Sequence, residues 1–202
     1  TSMIQSGLAT CAVVVSPELM SGHNNWRERD GHFLFGDAAV ALVIERARPN
    51  AWEILSVRAM SKFSSNIRNN FGFLNRFDPS TQFAADKLFY QHGRRVYKEV
   101  IPWAAKFIAD HVQSHGIAPT DIARYWLHQA NQNMNDLIAE RILGRPATRD
   151  EAPVIIDTYG NTASAGAAIA FTEHSDLAVG SYGLLAAFGA GYSIGSVAMQ
   201  RT

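Results

Sequence analysis

Three short segments of the sequence place residues capable of chemistry beside apolar runs. In "WLHQAN" an apolar run ends at His128, and in "YGNTASAG" Asn161 follows Gly160, a residue type that permits a tight turn. In "AAFGAGYSIG", Gly189 and Gly191 allow the backbone to approach a ligand closely and leave N–H groups free to donate. An imidazole ring, a side-chain amide and backbone N–H groups can all donate hydrogen bonds to a reacting oxygen.

Each of these segments also has a purely structural explanation. A histidine at the end of a strand often satisfies local hydrogen bonds, so His128 could be structural. Asn161 could cap the helix that follows it, and the glycine segment could be an ordinary hairpin turn. For each residue taken alone the structural explanation is favoured, and only the combination points to a site.

Short apolar runs bounded by turn residues predict the strands that would position these residues. The β-branched runs "ATCAVVVS" and "AAVALVIE" predict buried strands, and "AWEILSVRAM", "ARYWLH" and "APVIID" predict three more. A closing pair of strands is predicted at "YGLLAAFG" and "YSIGSVAMQR". The strand "ARYWLH" would deliver His128 to its C-terminal edge, the usual position of sites in open α/β sheets. The polar segment "SKFSSNIRNNFGFLNRFDPS" predicts a long surface loop.

Helical periodicity predicts the elements between these strands. Apolar positions from Phe83 and Leu88 to Val112 keep a helical period; Pro102 is expected to kink or divide this segment, and Gly116 to end it. "QNMNDLIAERILG" and "NTASAGAAIAFTEHSD" predict two further helices, the second rich in small residues. This alternation of strands and helices predicts an α/β fold built on a layered sheet.

Composition and charge limit the partners. Lys plus Arg and Asp plus Glu each total 18, so no net basic charge would attract nucleic acid or an anionic membrane. The sequence lacks both an apolar run long enough to span a membrane and a signal peptide, which predicts a cytoplasmic protein. His111 and His115 are spaced i, i+4 on a predicted helix, but without a third ligand nearby we expect a solvated helix face there. We expect neither a metal nor a cofactor.

Taken in chain order, four motifs carry a family resemblance. "FLFGDAAVALVIE", "LHQANQN", "YGNTASAGAAIAF" and "AAFGAGYSIGSVAMQR" resemble the successive motifs of β-ketoacyl-[acyl-carrier-protein] synthase III enzymes, which are thiolase-fold condensing enzymes. The resemblance covers nearly the whole chain, from "IQSGLATCAVVVSPELM" to the last strand. It implies a five-layer αβαβα fold of two similar halves, in which residues 1–47 complete the N-terminal half and residues 51–202 form the whole C-terminal half.

The resemblance also implies a reaction and the residues that carry it. In the family a cysteine thiolate takes an acyl group from acyl-CoA, and malonyl-acyl carrier protein then loses carbon dioxide and attacks the thioester, giving a 3-oxoacyl-acyl carrier protein for fatty acid biosynthesis. His128 and Asn161 match the pair that stabilises the enolate. The loop Phe188–Gly191 matches the segment that helps form the oxyanion hole, with Phe188 closing over the cysteine pocket and Ala190 where glycine is common.

Further residues match the family's carrier-binding surface in part. Lys98 falls where the family has a lysine that meets the acyl carrier protein, and Arg94 and Arg95 extend the basic cluster. A solvated helix face explains these charges equally well. Asn133 and Glu140 stand where family members often have basic residues, which weakens the assignment of carrier docking or indicates a different carrier surface.

The nucleophile of the family is not matched. The only cysteine, Cys11, lies in an apolar run, so we interpret it as an inert small residue. The chain therefore resembles the C-terminal part of the enzyme without its cysteine region, and we expect it to be inactive alone. Its expected partners are acyl-CoA, malonyl-acyl carrier protein, the N-terminal part of the same enzyme and a second copy in a homodimer. Without that N-terminal part, we expect exposed apolar surface and a chain that is stable only with its complement bound.

Finer assignments remain open at this stage. Asn131 matches an asparagine that binds the pantetheine arm, with a turn or capping role as the alternative. The region of Trp26, Arg27 and Asp30 resembles a branch of the family that accepts medium-length acyl groups. The alternatives for function are a thiolase-fold acyltransferase of polyketide, quinolone or alkene biosynthesis, and a non-catalytic partner subunit.

Overall fold

The computed structural model describes residues 1–29, 31–46, 48–69, 78–81, 84 and 87–202. The described strands are β1 (Cys11–Glu18), β2 (Ala38–Glu45), β3 (Trp52–Ser64), β4 (Ile67–Asn69), β5 (Phe89–Gln91), β6 (Ile122–Leu127), β7 (Tyr182–Gly189) and β8 (Gly191–Arg201). The α-helices are α1 (Ser2–Gln5), α2 (Gly93–Gln113), α3 (Gln132–Leu143), α4 (Ile156–Tyr159) and α5 (Ala165–Glu173).

The main sheet has four strands in the order β3-β8-β7-β6. Strands β7 and β8 form the predicted hairpin, β3 pairs antiparallel with β8, and β6 runs parallel to β7. The helices α2 and α3 pack together and contribute most of the apolar side chains that bury this sheet on one side. The parallel pairing of β6 and β7 brings the C-terminal ends of both strands, and the residues that follow them, to the same edge.

Helix α5 forms a layer between two sheets. It contacts β6 and β7 of the main sheet and also β1 and β2, which pair with each other in a separate two-stranded sheet. Its buried residues are small: Ala165, Gly166, Ala167, Ala168 and Ala170. Because small side chains allow neighbouring elements to approach closely, the composition of this helix suits the crowded position that it occupies. The successive layers are thus the two-stranded sheet, α5, the main sheet and α2 with α3.

The two-stranded sheet differs from its prediction as a pair of buried strands. Val13 lies directly opposite Val43 in the antiparallel register, so both side chains and that of Val15 share one face. All three are exposed, whereas Leu42 and Ile44 on the other face are partly buried on the side of α5. The β-branched composition of β1 and β2 indicated strands correctly, but it did not indicate how many faces are covered.

The prediction of a strand at "APVIID" is wrong. Residues 153–155 adopt no regular structure, and α4 begins at Ile156. The buried side chain of Gln129 occupies the hydrogen-bonding position that a neighbouring strand would take: its Oε1 accepts from the Ile155 N–H at 3.1 Å and its Nε2 donates to the Pro153 carbonyl at 3.3 Å. The Gln129 side-chain amide thereby satisfies backbone groups that would otherwise need a hydrogen-bonded neighbouring strand.

The long helical prediction is partly wrong. Phe83 lies outside the described residues, and Leu88 precedes strand β5, so the helix begins only at Gly93. Pro102 lies within α2 and does not divide it. Both Pro102 and Lys98, whose carbonyl loses its usual i+4 donor at Pro102, are exposed, so that carbonyl can be hydrated.

The predicted surface loop after "AWEILSVRAM" is wrong over its first residues. Strand β3 continues to Ser64, and β4 follows after a two-residue bend and pairs with β5. Residues 70–77 of this segment lie outside the described residues. Within the part of the chain that the structure describes, no helix has the length and apolar character needed to cross a membrane.

Candidate active site

His128 follows directly after β6 and is buried. Its backbone N–H donates to the Ala186 carbonyl at 2.8 Å, which extends the pairing of β6 with β7, and its ring meets the Phe188 ring edge-on at 4.9 Å. Burial lowers the pKa of His128 to about 4, although a hydrogen bond with the Ala163 backbone acts in the opposite direction. The ring is therefore neutral at pH 7 and carries a single N–H, which the Ala163 backbone and a substrate oxygen would have to share. Within the described part of the chain, Nδ1 has no hydrogen-bonding partner.

Asn161 is buried and held through both its backbone and its side chain. Its N–H donates to the Leu34 carbonyl at 2.8 Å, and its carbonyl accepts from Gly36 at 3.1 Å. Its Oδ1 accepts from the Ala163 N–H at 3.0 Å, which identifies the oxygen and leaves the NH₂ group as the donor end. The alternative that Asn161 caps α5 is wrong, because the N-cap position is Ser164.

Two glycines permit the close approach of the chain segments around Asn161. Gly160 has a φ of 68°, and a Cβ there would lie 3.0 Å from the Leu34 carbonyl oxygen. A Cβ on Gly36 would lie 2.1 Å from the Tyr159 carbonyl oxygen, closer than any real contact. Glycine is therefore required at both positions for residues 34–36 to lie against the segment that carries Asn161.

The glycine loop is a hairpin turn, as the structural alternative predicted, and it also faces the candidate site. Gly189 pairs with Ser193 at the end of the β7–β8 ladder. Gly191 has a φ of 131°, whereas Ala190 does not have a positive φ, so alanine is accommodated there without backbone strain. The family position that usually holds glycine can thus present its backbone N–H in this chain too.

A cavity of about 960 Å³ brings the predicted residues together. His128, Asn161 and Phe188–Ala190 all line it, with Gly191 not among the described lining residues. Most of the remaining wall is apolar and includes Phe35, Met60, Ile67, Phe89, Val100 and Ile194. Asn131 lines the cavity and also caps α3, where its Oδ1 accepts from the Met134 N–H at 3.2 Å. The capping alternative for Asn131 is therefore correct, and a ligand-binding role is still a prediction.

The predicted basic cluster is exposed on the first turns of α2. Arg94 and Lys98 line the cavity, while Arg95 does not appear in its described wall. Asn133 and Glu140 are exposed on α3, the helix that packs against α2. The geometry thus places two of the three cations where they could meet a group entering the cavity.

Cys11 is exposed at the start of β1 and is not among the described residues that line the cavity. Trp26 is also exposed, and its Nε1 donates to the Ser21 carbonyl at 3.2 Å. The Arg27 N–H donates to Asn25 Oδ1 at 3.2 Å, and Asp30 lies outside the described residues. The medium-chain assignment of this region remains a prediction.

The expected solvated face around His111 is wrong. His111 is buried, with Nε2 2.7 Å from Ser56 Oγ and Nδ1 2.6 Å from Ser196 Oγ, so the ring links α2 to both β3 and β8. Burial, followed by the charges of His115 and Arg58, lowers its pKa to about 4. Among the residues that the structure describes, no group of three potential metal ligands occurs.

One cavity-lining contact had no signal in the sequence. Glu18, at the end of β1, lines the same cavity as Asn161 and accepts hydrogen bonds from both the N–H and the hydroxyl of Ser164. The dipeptide "PE" in "VVVSPELM" matches no catalytic motif, and 146 residues separate the partners. Only the packing of the two-stranded sheet against α5 reveals the contact.

Two sequence models of one enzyme family match this chain. The sequence model of 3-oxoacyl-[acyl-carrier-protein] synthase III matches residues 1–62, and the model of its C-terminal part matches residues 112–201. The chain is 50% identical over 206 residues to β-ketodecanoyl-[acyl-carrier-protein] synthase of Pseudomonas aeruginosa, covering 100% of this chain and 59% of that protein. It is 28% identical to β-ketoacyl-[acyl-carrier-protein] synthase III of Roseiflexus, covering 62% of that protein. The chain thus spans about three fifths of these relatives.

Solved structures of similar proteins agree with the layered fold. The 3-oxoacyl-[acyl-carrier-protein] synthase III of Aquifex aeolicus has a TM-score of 0.82 at 25% identity, with 98% of this chain and 60% of that chain covered. The synthase III of Thermus thermophilus has a TM-score of 0.84 at 25% identity, with 100% and 62% covered. A priming β-ketosynthase from the R1128 polyketide pathway, at 24% identity and a TM-score of 0.85 with 99% and 60% covered, shows the fold alone.

Proposed function

The chain belongs to the 3-oxoacyl-[acyl-carrier-protein] synthase III family and has its thiolase-type α/β fold, and we propose that its cavity is the acceptor half of a decarboxylative condensing site. The observation that carries the proposal is the convergence of His128, Asn161 and the end of β7 on one largely apolar cavity. The reaction joins an acyl group, held as a thioester on a cysteine, to the two-carbon unit of malonyl-acyl carrier protein.

The chemistry requires donors at a developing negative oxygen. When the malonyl C–C bond to the carboxylate breaks, carbon dioxide leaves and the electron pair forms an enolate at the thioester. The His128 N–H and the Asn161 NH₂ are the two proposed donors in a largely apolar cavity, and the Asn161 side chain is held in place before the reaction. Fixed donors in such a site stabilise a charge that develops only in the transition state, and one donor is commonly worth about 3 kcal/mol.

The second half of the reaction needs a separate oxyanion site. The enolate carbon attacks the acyl thioester carbonyl, a tetrahedral oxyanion forms, and its collapse expels the cysteine thiolate and releases the 3-oxoacyl product. Backbone N–H groups of the loop Phe188–Gly191 are the proposed donors to that oxyanion. The thiol itself is proposed to lie in the part of the enzyme that corresponds to the remaining length of the relatives. The 202 residues alone are then expected to be inactive.

The proposed substrates follow from the wall of the cavity and from the relatives. A wall of aromatic and aliphatic side chains suits an acyl chain and the apolar part of a pantetheine arm, with Asn131 as a polar contact. Since a relative at 50% identity is a β-ketodecanoyl synthase, we propose a medium-chain acyl group and a role in fatty acid biosynthesis. Arg94 and Lys98, with Arg95 beside them, are proposed to guide an acidic acyl carrier protein, and the enzyme is proposed to be a homodimer.

The test separates the two half-reactions in the complete enzyme. His128→Ala or Asn161→Ala should lower condensation with malonyl-acyl carrier protein by about 10²–10³-fold while cysteine acylation by acyl-CoA stays close to wild type. His111→Ala and Asn135→Ala are matched controls, because both residues are buried but neither is among the described lining residues of the cavity. Equal loss of both half-reactions would contradict the assigned roles, and a product formed equally well from malonyl-CoA would contradict the carrier.

A further inference from the structure

The contact between Glu18 and Ser164 joins the two-stranded sheet to the residues that hold Asn161. Glu18 Oε1 accepts from the Ser164 N–H at 3.1 Å and from the Ser164 hydroxyl. Both residues line the same cavity as Asn161. The Glu18 carboxylate therefore holds Ser164 through both its N–H and its hydroxyl, although the two residues are distant in the sequence.

Ala163, immediately before Ser164, is hydrogen bonded to one of the proposed donors. Its N–H donates to Asn161 Oδ1 at 3.0 Å, which sets the direction of the Asn161 NH₂ group. Its backbone also raises the pKa of His128, against the effect of burial. A rotation of the peptide at Ala163 would consequently move Asn161 and change the surroundings of His128.

The conformation of Ala163 needs support from its neighbours. Its φ is 47°, in the left-handed region that residues with a Cβ seldom adopt. Such a residue keeps this conformation only when surrounding contacts hold it. Asn161 Oδ1 holds the N–H side of Ala163, and the Glu18 carboxylate holds the following residue.

From this geometry we infer that Glu18 is a positioning residue for the donor Asn161, acting through Ser164 and Ala163. The inference rests on the proposed function. An ionised carboxylate can accept both Ser164 donors and forms stronger hydrogen bonds than a neutral acceptor. A glutamine keeps one acceptor oxygen at the same reach, whereas an alanine removes both contacts. Glu18→Ala should therefore disturb the position of Asn161 more than Glu18→Gln does.

The kinetic test uses the complete enzyme with Glu18→Ala, Glu18→Gln and a matched control. Glu151→Ala is the control, since Glu151 likewise accepts from the N–H (2.8 Å) and the hydroxyl (3.2 Å) of one residue, Thr148, but is not among the described lining residues of the cavity. Displacement of a reacting group by about 1 Å can cost about 100-fold in rate, so Glu18→Ala should lower kcat for decarboxylative condensation by roughly 10–100-fold. Glu18→Gln should lose only a few-fold, and the rate of cysteine acylation should change little in either variant.

A second readout reports the position of Asn161 without relying on turnover. With ¹⁵N-asparagine labelling, the side-chain amide signals of Asn161, identified by their loss in Asn161→Ala, should shift and broaden in Glu18→Ala. They should stay near wild type in Glu18→Gln and in Glu151→Ala. Unchanged Asn161 signals in Glu18→Ala would overturn the inference, as would an unchanged ratio of condensation to acylation in an active enzyme. If wild type forms no 3-oxoacyl product, the proposed function fails, and the amide signals alone then decide the role of Glu18.

Discussion

The two-stranded sheet and the four-stranded sheet use similar β-branched and aliphatic residues but are covered differently. Around strands β6 and β7 of the four-stranded sheet, helices α2 and α3 pack on one side and α5 on the other, and Trp126 and Leu184 are both 0% exposed, whereas Val57 on the edge strand β3 is 57% exposed. The two-stranded sheet packs against α5 on one face only, and on its other face Val13 and Val43 are 59% and 64% exposed. The layers around a strand, and not its residue types alone, therefore decide whether its side chains are buried.

The less buried sheet nevertheless shapes the site. Glu18 extends from the end of β1, and Leu34 and Gly36, between β1 and β2, bind the backbone of Asn161. The four-stranded sheet supplies His128 and Phe188 from the ends of β6 and β7. The cavity thus lies where the two regions meet, with one proposed donor on the main sheet and the other held from the smaller one.

The largest predicted difference between the regions compares one tryptophan from each. Trp126 is fully buried, meets Trp52 and Phe171 edge-on, and donates from Nε1 to the His174 carbonyl at 2.9 Å. Trp126→Ala should cost about 3–5 kcal/mol of unfolding free energy, because it leaves a cavity and removes one of the two hydrogen bonds to the His174 carbonyl, the other coming from Arg124. Trp26→Ala, at a residue that is 58% exposed, should cost less than about 1 kcal/mol. Urea unfolding measures both, and equal costs would contradict the comparison.

Acid should destabilise the main-sheet region through its two buried histidines. The pKa values of His111 and His128 are both about 4, below the ordinary value of 6.5, so the unfolded chain binds more protons between these pH values. Stability is therefore complete above about pH 6.5 and falls as the pH drops towards 4, by up to about 3 kcal/mol for each ring.

The substitution His111→Gln isolates one of these contributions. Glutamine can still hydrogen bond with Ser56 and Ser196 but does not titrate, so the loss of unfolding free energy between pH 6.5 and 4 should fall by about half. Urea unfolding of both proteins across this range provides the measurement. A variant with the same acid sensitivity as wild type would mean that His111 is not the titrating group.

Sequence patterns predicted the strands of both sheets better than the segments between them. The strands that end at Leu127 and Gly189, the hairpin and the α3 helix follow from apolar runs, turn glycines and the cap at Asn131, which are all local signals. The failed strand at "APVIID" depends on the distant side chain of Gln129, and no periodicity contains that information.

The residues of the candidate site also differ in whether the sequence alone reveals them. His128, Asn161 and the glycine loop were found through motifs in family order, and the fold places them around one cavity. Glu18 and the left-handed Ala163 were not found, because their importance arises from a contact between sheets and from a backbone angle. Both are properties of the assembled layers, which a single sequence does not display.

The smallest predicted effect on folding concerns the exposed face of the two-stranded sheet. Val13→Thr and Val43→Thr keep the β-branched shape at exposed positions. Each substitution should therefore change the unfolding free energy by less than about 0.5 kcal/mol. The same changes should reduce self-association of residues 1–202, because contiguous exposed apolar side chains favour contact with another surface.

Analytical sedimentation of residues 1–202, with and without the two substitutions, measures this self-association. Thr172→Val on α5 is the control, because it changes hydrophobicity away from the face of Val13 and Val43. The expectation that residues 1–202 are stable only with a complementary segment bound stays a prediction that the same samples can test. If the threonine substitutions weaken association, the valine face is one that needs a cover, as β6 and β7 of the main sheet already have on both faces. A wild-type chain that is monomeric and unfolds cooperatively would instead show that one covered face is enough for this sheet.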